Sequence, residues 1–278
     1  MEIPGWKYYN HAAISAAAPH EEVDLAPIID GSIWNLDGSP ILARWTSDFD
    51  CGKETNWWYL IKDDPFDINI LKAKRRYEIN KGLKSFRAER INPREYVREL
   101  YEVREASFSA YPVKYRPKNS LDDVAKSIEI WILEGYLVYG VFSVETGNLC
   151  GYALVIKNDR SLNYAVHKTA PECEKAGVNF ALTYSILRDL EQYIADGFYL
   201  YDGERSVNHE TEFQNWLEKY FGFRKAYCQL NISYNHKMKW IVKILFPFRK
   251  MLKIFDKIGV FHKINSVLKM EAIVSNKE

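Results

Sequence analysis

The 278 residues are 47% hydrophobic and 27% charged, a composition that argues against a disordered chain and supplies apolar side chains for one large or two small cores. Lys and Arg number 28 against 34 Asp and Glu up to His236, but 10 against 3 from Lys237 onward. The acidic body argues against DNA as a partner, because phosphate contacts need clustered Lys and Arg.

The four cysteines are widely spaced and form no CxxC pair: Cys51, Cys150, Cys173 and Cys228. This spacing predicts no metal site. No apolar stretch approaches the roughly 18 residues of a spanning helix, and the first residues lack the pattern of a signal peptide. We therefore expect a cytoplasmic protein with free thiols.

The first third of the chain favours strands. Residues 1–30 show no sustained period and are expected to be irregular. Turn signals at Asp37-Gly38 and Cys51-Gly52 separate three runs rich in β-branched and aromatic residues, which predict an antiparallel meander: 32–36, 40–49 and 55–62. A basic helix should begin near Pro65 and end at Gly82, before a strand at 86–91.

From Pro93 onward helices and strands alternate. The periodicities predict helices at 94–110, 121–131, 178–195 and 212–220, and strands at 137–144, 149–157, 162–167, 198–201 and 225–234. The fold class is therefore α/β, or α+β. We expect three domains: an N-terminal β-rich part with the basic helix (1–91), a central domain (92–235) and a helical tail (236–278).

The turn before the helix at 178–195, residues 173–179, predicts an anion site. Free backbone N–H groups and the positive end of the helix dipole face whatever lies in front of such a turn, and a pyrophosphate fits there. Gly177 allows close approach of the backbone, and Lys175 adds positive charge.

The element order from Leu137 to Tyr234, with Glu174-Lys175-Ala176-Gly177-Val178-Asn179 at this turn, resembles the GNAT superfamily of acyl-CoA-dependent N-acyltransferases. Gly177 matches the family pattern Gln/Arg-x-x-Gly-x-Gly/Ala, whereas Glu174 and Asn179 differ. The resemblance implies a central mixed, mostly antiparallel sheet flanked by helices. It also implies acetyl-CoA or another acyl-CoA as donor, bound by residues of the strand and the turn: Ala165, Val166, Lys175, Ala176, Gly177, Val178 and Asn179. Many members have a Tyr four positions before the closing Gly-Phe, and this Tyr donates a proton to the leaving thiolate. At that position this chain has Glu218.

Three further stretches are similar to the FemAB branch of that fold: the basic helix at 71–82, Tyr201-Asp202-Gly203, and the segment 216–223 with its Phe-Gly. That resemblance implies transfer of an acyl or aminoacyl group to an amine, on a bacterial cell-wall or glycan precursor. An aminoacyl-tRNA donor stays open as an alternative, and so does a non-catalytic protein that binds a glycan or a membrane.

The densest polar cluster beside this turn lies just beyond Tyr201: Asp202, Glu204, Arg205, Asn208, His209 and Glu210. Amine acylation needs a base, for which Glu204, His209 and Asp202 are the candidates. Arg205 and Asn208 would hold the substrate, since ligands of open α/β sheets sit at such strand ends. Alternatively, residues 206–211 simply cap the next helix.

A second polar cluster surrounds Cys51: Asp48, Asp50, Lys53 and Glu54. Trp57 and Trp58 flank it and would bind the acceptor on an aromatic platform. The alternative is a solvated turn.

The tail combines apolar and basic side chains at helical spacing. The apolar ones are Trp240, Ile241, Ile244, Leu245, Phe248, Met251, Leu252 and Phe255, and the basic ones are Lys239, Lys243, Arg249, Lys250, Lys253 and Lys257. Pro247 should break this amphipathic helix. The tail, 237–270, either lies on the anionic inner face of a membrane or docks on the body or a second subunit, as in a homodimer.

Overall fold

The structure, a computed structural model, describes residues 1–109, 116–118, 120–207, 212–256 and 259–276. The chain divides into two compact units: the first comprises 1–60, 204–212 and 225–278, and the second 61–203 and 213–224. This division differs from the predicted domains 1–91, 92–235 and 236–278. The tail packs within the first unit together with the N-terminal strands, and the basic helix packs within the second.

The strands within the described ranges are β1 (Trp6–Tyr9), β2 (Ala12–Ser15), β3 (Leu42–Ser47), β4 (Trp57–Lys62), β5 (Phe86–Arg90), β6 (Leu137–Ser143), β7 (Leu149–Lys157), β8 (Ser161–Thr169), β9 (Tyr199–Glu204) and β10 (Arg224–Tyr234). The α-helices are α1 (Ala26–Ile29), α2 (Ala73–Ser85), α3 (Val97–Phe108), α4 (Leu121–Leu133), α5 (Pro171–Glu174), α6 (Val178–Asp189), α7 (Glu191–Ala195), α8 (Glu212–Phe221), α9 (His236–Leu245), α10 (Arg249–Leu252) and α11 (Gly259–Val274).

In the first unit the strand order is β1-β2-β3-β10-β4. The predicted antiparallel meander is wrong, because β10 from the far end of the chain lies between β3 and β4 and pairs antiparallel with β3. The predicted strand at 32–36 is a 3₁₀ helix, Ser32–Asn35, and the region expected to be irregular contains the β1–β2 hairpin. Local periodicity could not reveal a partner so distant in sequence.

The tail helices pack on this unit. Met238 and Val242 of α9 join Val267 and Leu268 of α11 in a buried cluster with Leu42 of β3. The predicted break at Pro247 is confirmed, because a 3₁₀ turn, Phe246–Phe248, separates α9 from α10. Across the described ranges, every helix is too short or too polar to span a bilayer.

In the second unit the order is β9-β8-β7-β6-β5, antiparallel throughout except for the parallel pair β8–β9. Helices α3 and α4 cover one face, where Leu100 and Ile128 pack on Val138. The next residue, Tyr139, faces the opposite way and donates its hydroxyl to Asp189 of α6 at 2.6 Å. The predicted mixed, mostly antiparallel sheet flanked by helices is confirmed.

Helix α2 was predicted to end at Gly82, but it continues to Ser85. Gly82 lies against Gly177, the N-cap residue that precedes α6 and has a positive φ of 98°. A Cβ on Gly177 would lie 2.9 Å from the Cα of Gly82, and a Cβ on Gly82 would clash with the Gly177 carbonyl. Gly82 therefore does not end α2. It allows the backbone of α2 to contact the backbone at the start of α6.

This contact predicts a selective cost for a single methyl group. Gly82→Ala should lower the free energy of unfolding by about 1–3 kcal/mol, the usual cost of overpacking. Gly259→Ala is the matched control, since Gly259 is also helical and a Cβ there meets nothing within 4 Å. Urea denaturation of both variants measures the effect, and equal stability of the two would contradict the close approach.

Candidate functional site

Strands β8 and β9 pair over only three residues on each strand, Ser161–Asn163 with Tyr199–Tyr201. Both strands continue past the last pair, so their carboxyl halves diverge; we call this opening the strand gap. A bulge lies beside it on β8, because Val155 pairs with Tyr164 whereas Leu154 pairs with Val166. Ala165 is therefore left without a partner on β7 and is exposed.

A chain of polar side chains links β8 to α6. The Tyr164 hydroxyl lies 2.6 Å from His167 Nδ1, and His167 Nε2 lies 2.7 Å from Asn179 Oδ1. Thr169 donates to the same oxygen at 2.9 Å, and Thr183 lies 3.4 Å from the Tyr164 hydroxyl. Because an amide oxygen only accepts, His167 donates through Nε2 and Tyr164 donates to Nδ1.

Burial fixes the protonation of this chain. It lowers the pKa of His167 to about 4, so the imidazole is neutral at pH 7. Burial is also the main cause that raises the pKa of Tyr164, and the charge of Asp202 adds to that shift. The chain is thus neutral near physiological pH.

Asp202 on β9 is a carboxyl whose pKa lies near neutrality. Burial raises its pKa to about 7, against a smaller lowering by a hydrogen bond from Gln214. Gln214 of α8 is buried and donates Nε2 to the Asp202 carbonyl at 3.4 Å. Its Oε1 atom is buried and has no hydrogen-bond partner among the described residues. An accepting atom thus lies near a carboxyl that exchanges its proton near pH 7.

Aromatic rings of α8 and α6 surround the same region. The Phe213 ring lies 4.7 Å from the His167 ring, centroid to centroid, and stacks on Trp216 at 5.5 Å. Phe180 contacts Trp216 at 5.1 Å. These rings exclude water from the polar chain, which explains the large effect of burial on its pKa values.

The predicted anion-binding turn, residues 173–179, has different surroundings from those expected. Strand β8 does not lead directly into it, because the four-residue helix α5 intervenes. Gly177 and Val178 are buried, with Gly82 against the turn, and Asn179 points its oxygen at His167 and Thr169. Lys175 is exposed, and its carbonyl accepts from Lys81 at 2.7 Å.

These positions give the turn a packing role that needs no ligand. Donor binding by Ala165, Val166, Lys175, Ala176, Gly177, Val178 and Asn179 stays a prediction. A substitution at Gly177 would disturb the helix contact as well as any bound anion.

The other predicted site residues lie in the first unit. Glu204 is ion-paired with Arg44 and accepts from the Trp57 indole at 3.2 Å, so both carboxylate oxygens have donors. Arg205 donates to the Asn56 carbonyl at 2.5 Å. These contacts favour structural roles for Glu204 and Arg205, and among the described residues they leave Asp202 as the candidate base. Asn208 and His209 lie outside the described residues.

The predicted acceptor cleft around Cys51 is a cavity of about 470 Å³. It is lined by Asp48, Cys51, Lys53, Glu54, Thr55, Gln229 and Asn276. Trp57 is only 1% exposed and packs in the core, so it offers no open platform. Lys225 lies 5.1 Å from the Trp58 ring centroid. The predicted aromatic platform is therefore wrong for Trp57, and binding by Trp58 stays a prediction.

A larger cavity, of about 1010 Å³, lies in the second unit between α3, the β6–β7 hairpin and the start of α5. Its charged lining is mainly acidic: Lys84, Glu99, Glu102, Glu145 and Glu172. Burial and a hydrogen bond with Cys150 raise the pKa of the Cys173 thiol in this cavity to about 12, so it is not a thiolate nucleophile at neutral pH. The acidic lining suits a cation better than a diphosphate.

Tyr164, His167 and Gln214 were not predicted as site residues. A bulge brings the first two together, and only the fold brings Gln214 to Asp202. The sequence signal was weak: a His and a Tyr three apart on a strand, where regular alternation would place them on opposite faces. Within the described ranges, no group of His, Cys, Asp and Glu could hold a metal ion.

No family model matches the sequence, and no curated protein matches it in sequence. Solved structures do resemble the fold. FemX is 9% identical with a TM-score of 0.56 and covers 85% of each chain. The C-terminal domain (DUF2156) of a putative lysylphosphatidylglycerol synthetase from Agrobacterium fabrum is 10% identical with a TM-score of 0.52, covering 87% of this chain and 84% of that one.

A conserved protein of unknown function from Bacteroides thetaiotaomicron is 11% identical, with a TM-score of 0.51 and 78% of each chain covered. At such identities the likeness shows the fold. The chain has a GNAT-like fold with FemAB-like structural relatives.

The two shifted pKa values predict opposite pH effects on stability. Between pH 3.8 and about 7 the native state holds the extra proton on Asp202, so this group makes the free energy of unfolding fall as pH rises. Between about pH 4 and 6.5 the unfolded state holds the extra proton on His167, which makes it rise.

Urea denaturation across this range should separate the two groups. The difference in unfolding free energy, variant minus wild type, should rise with pH for Asp202→Asn and fall for His167→Gln, by at most about 1.4 kcal/mol per pH unit. Differences that stay constant with pH would show that neither group is titrating as described.

Proposed function

We propose that the second unit transfers an acyl group from an activated ester or thioester to an amine, with Asp202 as the general base. The observation that carries this proposal is the position of the Asp202 carboxyl on β9, just past the last pair with β8 and therefore at the strand gap, where burial raises its pKa to about 7. A base is most effective when its pKa lies near the working pH.

The proposed reaction needs few protein groups. The Asp202 carboxylate takes a proton from the substrate ammonium, and the nitrogen lone pair then attacks the acyl carbonyl carbon. The tetrahedral adduct loses its second N–H proton as the C–O or C–S bond breaks, and the leaving group takes up a proton. Gln214, which is buried and donates Nε2 to the Asp202 carbonyl, would hold Asp202 in position for this transfer.

The neutral chain from Thr183 through Tyr164 and His167 to Asn179 would position the site rather than exchange protons. The side chains of this chain hydrogen-bond to one another, and protonating His167 would place a charge in a buried, poorly solvated position. We assign these residues to holding β8 against α6, with the bulge at Ala165 facing the donor.

An amine is the acceptor that the charges favour. The four glutamates of the larger cavity would attract a cationic substrate. One structural neighbour of the same fold is named as a domain of a putative lysylphosphatidylglycerol synthetase, which favours an envelope component as the molecule that carries the acceptor group. We therefore propose an amine on an envelope or glycan precursor as the acceptor class.

Two donor classes follow from different observations. Acetyl-CoA or another acyl-CoA follows from the element order and the exposed Lys175, which could contact a phosphate. An aminoacyl ester, such as aminoacyl-tRNA, is favoured by the packing of α2 on Gly177, because that donor needs no diphosphate at this turn.

Asp202→Asn should lower kcat/KM for amine acylation roughly a hundredfold or more, which is the usual contribution of a general base. In the wild type, kcat/KM should rise with pH through about 7, and this limb should disappear in the variant. Initial rates with a matched donor and amine across pH 5.5 to 9 measure both effects.

Asp196→Asn is the matched control, since Asp196 is an exposed carboxylate at the end of α7. It should keep the wild-type rate and the wild-type pH limb. An Asp202→Asn enzyme that remains folded and equally active would remove Asp202 from the mechanism. Donor binding without turnover by any amine would favour the non-catalytic alternative.

The donor class is tested by charge reversal at the turn. Lys175→Glu should weaken binding of acetyl-CoA roughly tenfold in calorimetry if the turn holds a diphosphate, whereas the exposed Lys126→Glu on α4 should leave it unchanged. Wild-type protein that binds no acyl-CoA but hydrolyses or transfers from aminoacyl-tRNA would assign the aminoacyl donor instead.

A further inference from the structure

The tail exposes large apolar side chains that the protein does not cover. They recur every three or four residues from Trp240 to Ile254, with Phe255 beside the last one in the 3₁₀ turn Lys253–Phe255. We call them the tail face: Trp240, Ile244, Phe248, Met251, Ile254 and Phe255. Trp240 is 53% exposed and Ile254 is 77% exposed. Contiguous apolar exposure of this kind marks a binding surface.

Helix α9 is apolar on two sides. Met238 and Val242 are one turn apart and point into the buried cluster with Leu42. Trp240 and Ile244 are also one turn apart, but they lie on the opposite side of the helix and face solvent. Docking of the helix on its own unit therefore uses one apolar stripe and leaves the second without a partner among the described residues.

Positive charge flanks the tail face. Between His236 and Phe255 there are six Lys or Arg residues and no Asp or Glu. Lys243 lies 5.2 Å from the ring centroid of Trp240, so the charge sits directly beside the apolar stripe. The lysines at 237, 239, 243, 250 and 253 are all exposed.

We propose that the tail face binds the surface of an anionic lipid bilayer. Apolar side chains would enter the boundary between headgroups and acyl chains, while the lysines contact lipid phosphates. Trp suits this boundary because its ring is apolar and its N–H can meet water. A second copy of the chain fits less well, because two faces with the same positive charge repel each other.

Vesicle flotation of the full chain tests this surface. The protein should float with vesicles of phosphatidylcholine and phosphatidylglycerol and not with phosphatidylcholine alone, and rising salt should release it. Lys243→Glu/Lys250→Glu should weaken partitioning roughly tenfold or more. Ile244→Ser/Ile254→Ser should weaken it by a similar factor through loss of apolar contact.

Ile29→Ser/Leu133→Ser is the matched control, because these residues are 83% and 87% exposed but lie outside the tail. It should float like the wild type, and all variants should keep the wild-type melting temperature. Equal loss of binding in the control, or binding that ignores lipid charge and salt, would overturn the proposal.

Absence of vesicle binding would overturn it as well. Sedimentation velocity identifies the competing occupant: a wild-type dimer that the Ile244→Ser/Ile254→Ser variant converts to monomers, without vesicle binding, would assign the tail face to self-association. The outcome is independent of the proposed acyl transfer, because no tail residue belongs to the strand gap.

Discussion

Backbone contact between Gly82 and Gly177 places the beginning of α6, and the polar interior of the second unit depends on where α6 begins. Asn179 and Thr183 lie in the first two turns of this helix, where they meet His167 and Tyr164 of β8. A methyl group on either glycine would push the helices apart, and the hydrogen bonds of 2.7 and 2.9 Å that Asn179 accepts from β8 tolerate little displacement. Two small residues on separate helices thereby control the geometry of a buried hydrogen-bonded chain.

Burial shifts the pKa values of His167 and Asp202 in opposite directions. Burial disfavours charge, so it keeps His167 neutral far below its usual pKa and makes Asp202 hold its proton up to about pH 7. Each ring nitrogen of His167 has a hydrogen-bond partner, and the imidazole stays neutral at neutral pH. Asp202, by contrast, titrates at neutrality beside a glutamine whose oxygen lacks a partner among the described residues. This difference is why we propose proton transfer for the Asp202 carboxyl and a positioning role for the His167 imidazole.

The sequence predicts those elements whose contacts are local. Strand β7 has the predicted bounds, and α4 and α8 differ from prediction by only one or two residues at their ends, because periodicity and turn signals act within each segment. Prediction from the sequence fails for contacts between segments that are far apart along the chain. Nothing near Gly82 indicates that Gly177 will pack on it, so a helix-end signal was the natural interpretation. Asp202 and Glu204 look equivalent in sequence, yet Arg44 and Trp57 supply donors to Glu204 alone.

The tail shows a pattern that satisfies two interpretations at once. Its apolar residues at helical spacing predict docking or membrane contact as alternatives. In the structure Met238 and Val242 use one side of α9 for docking, while Trp240 and Ile244 remain exposed on the other. Docking on the body fixes the helix in place, so the exposed residues form a preorganised surface. A helix that is already ordered loses less entropy on meeting a bilayer than a disordered tail would, so fewer contacts are needed for the same affinity.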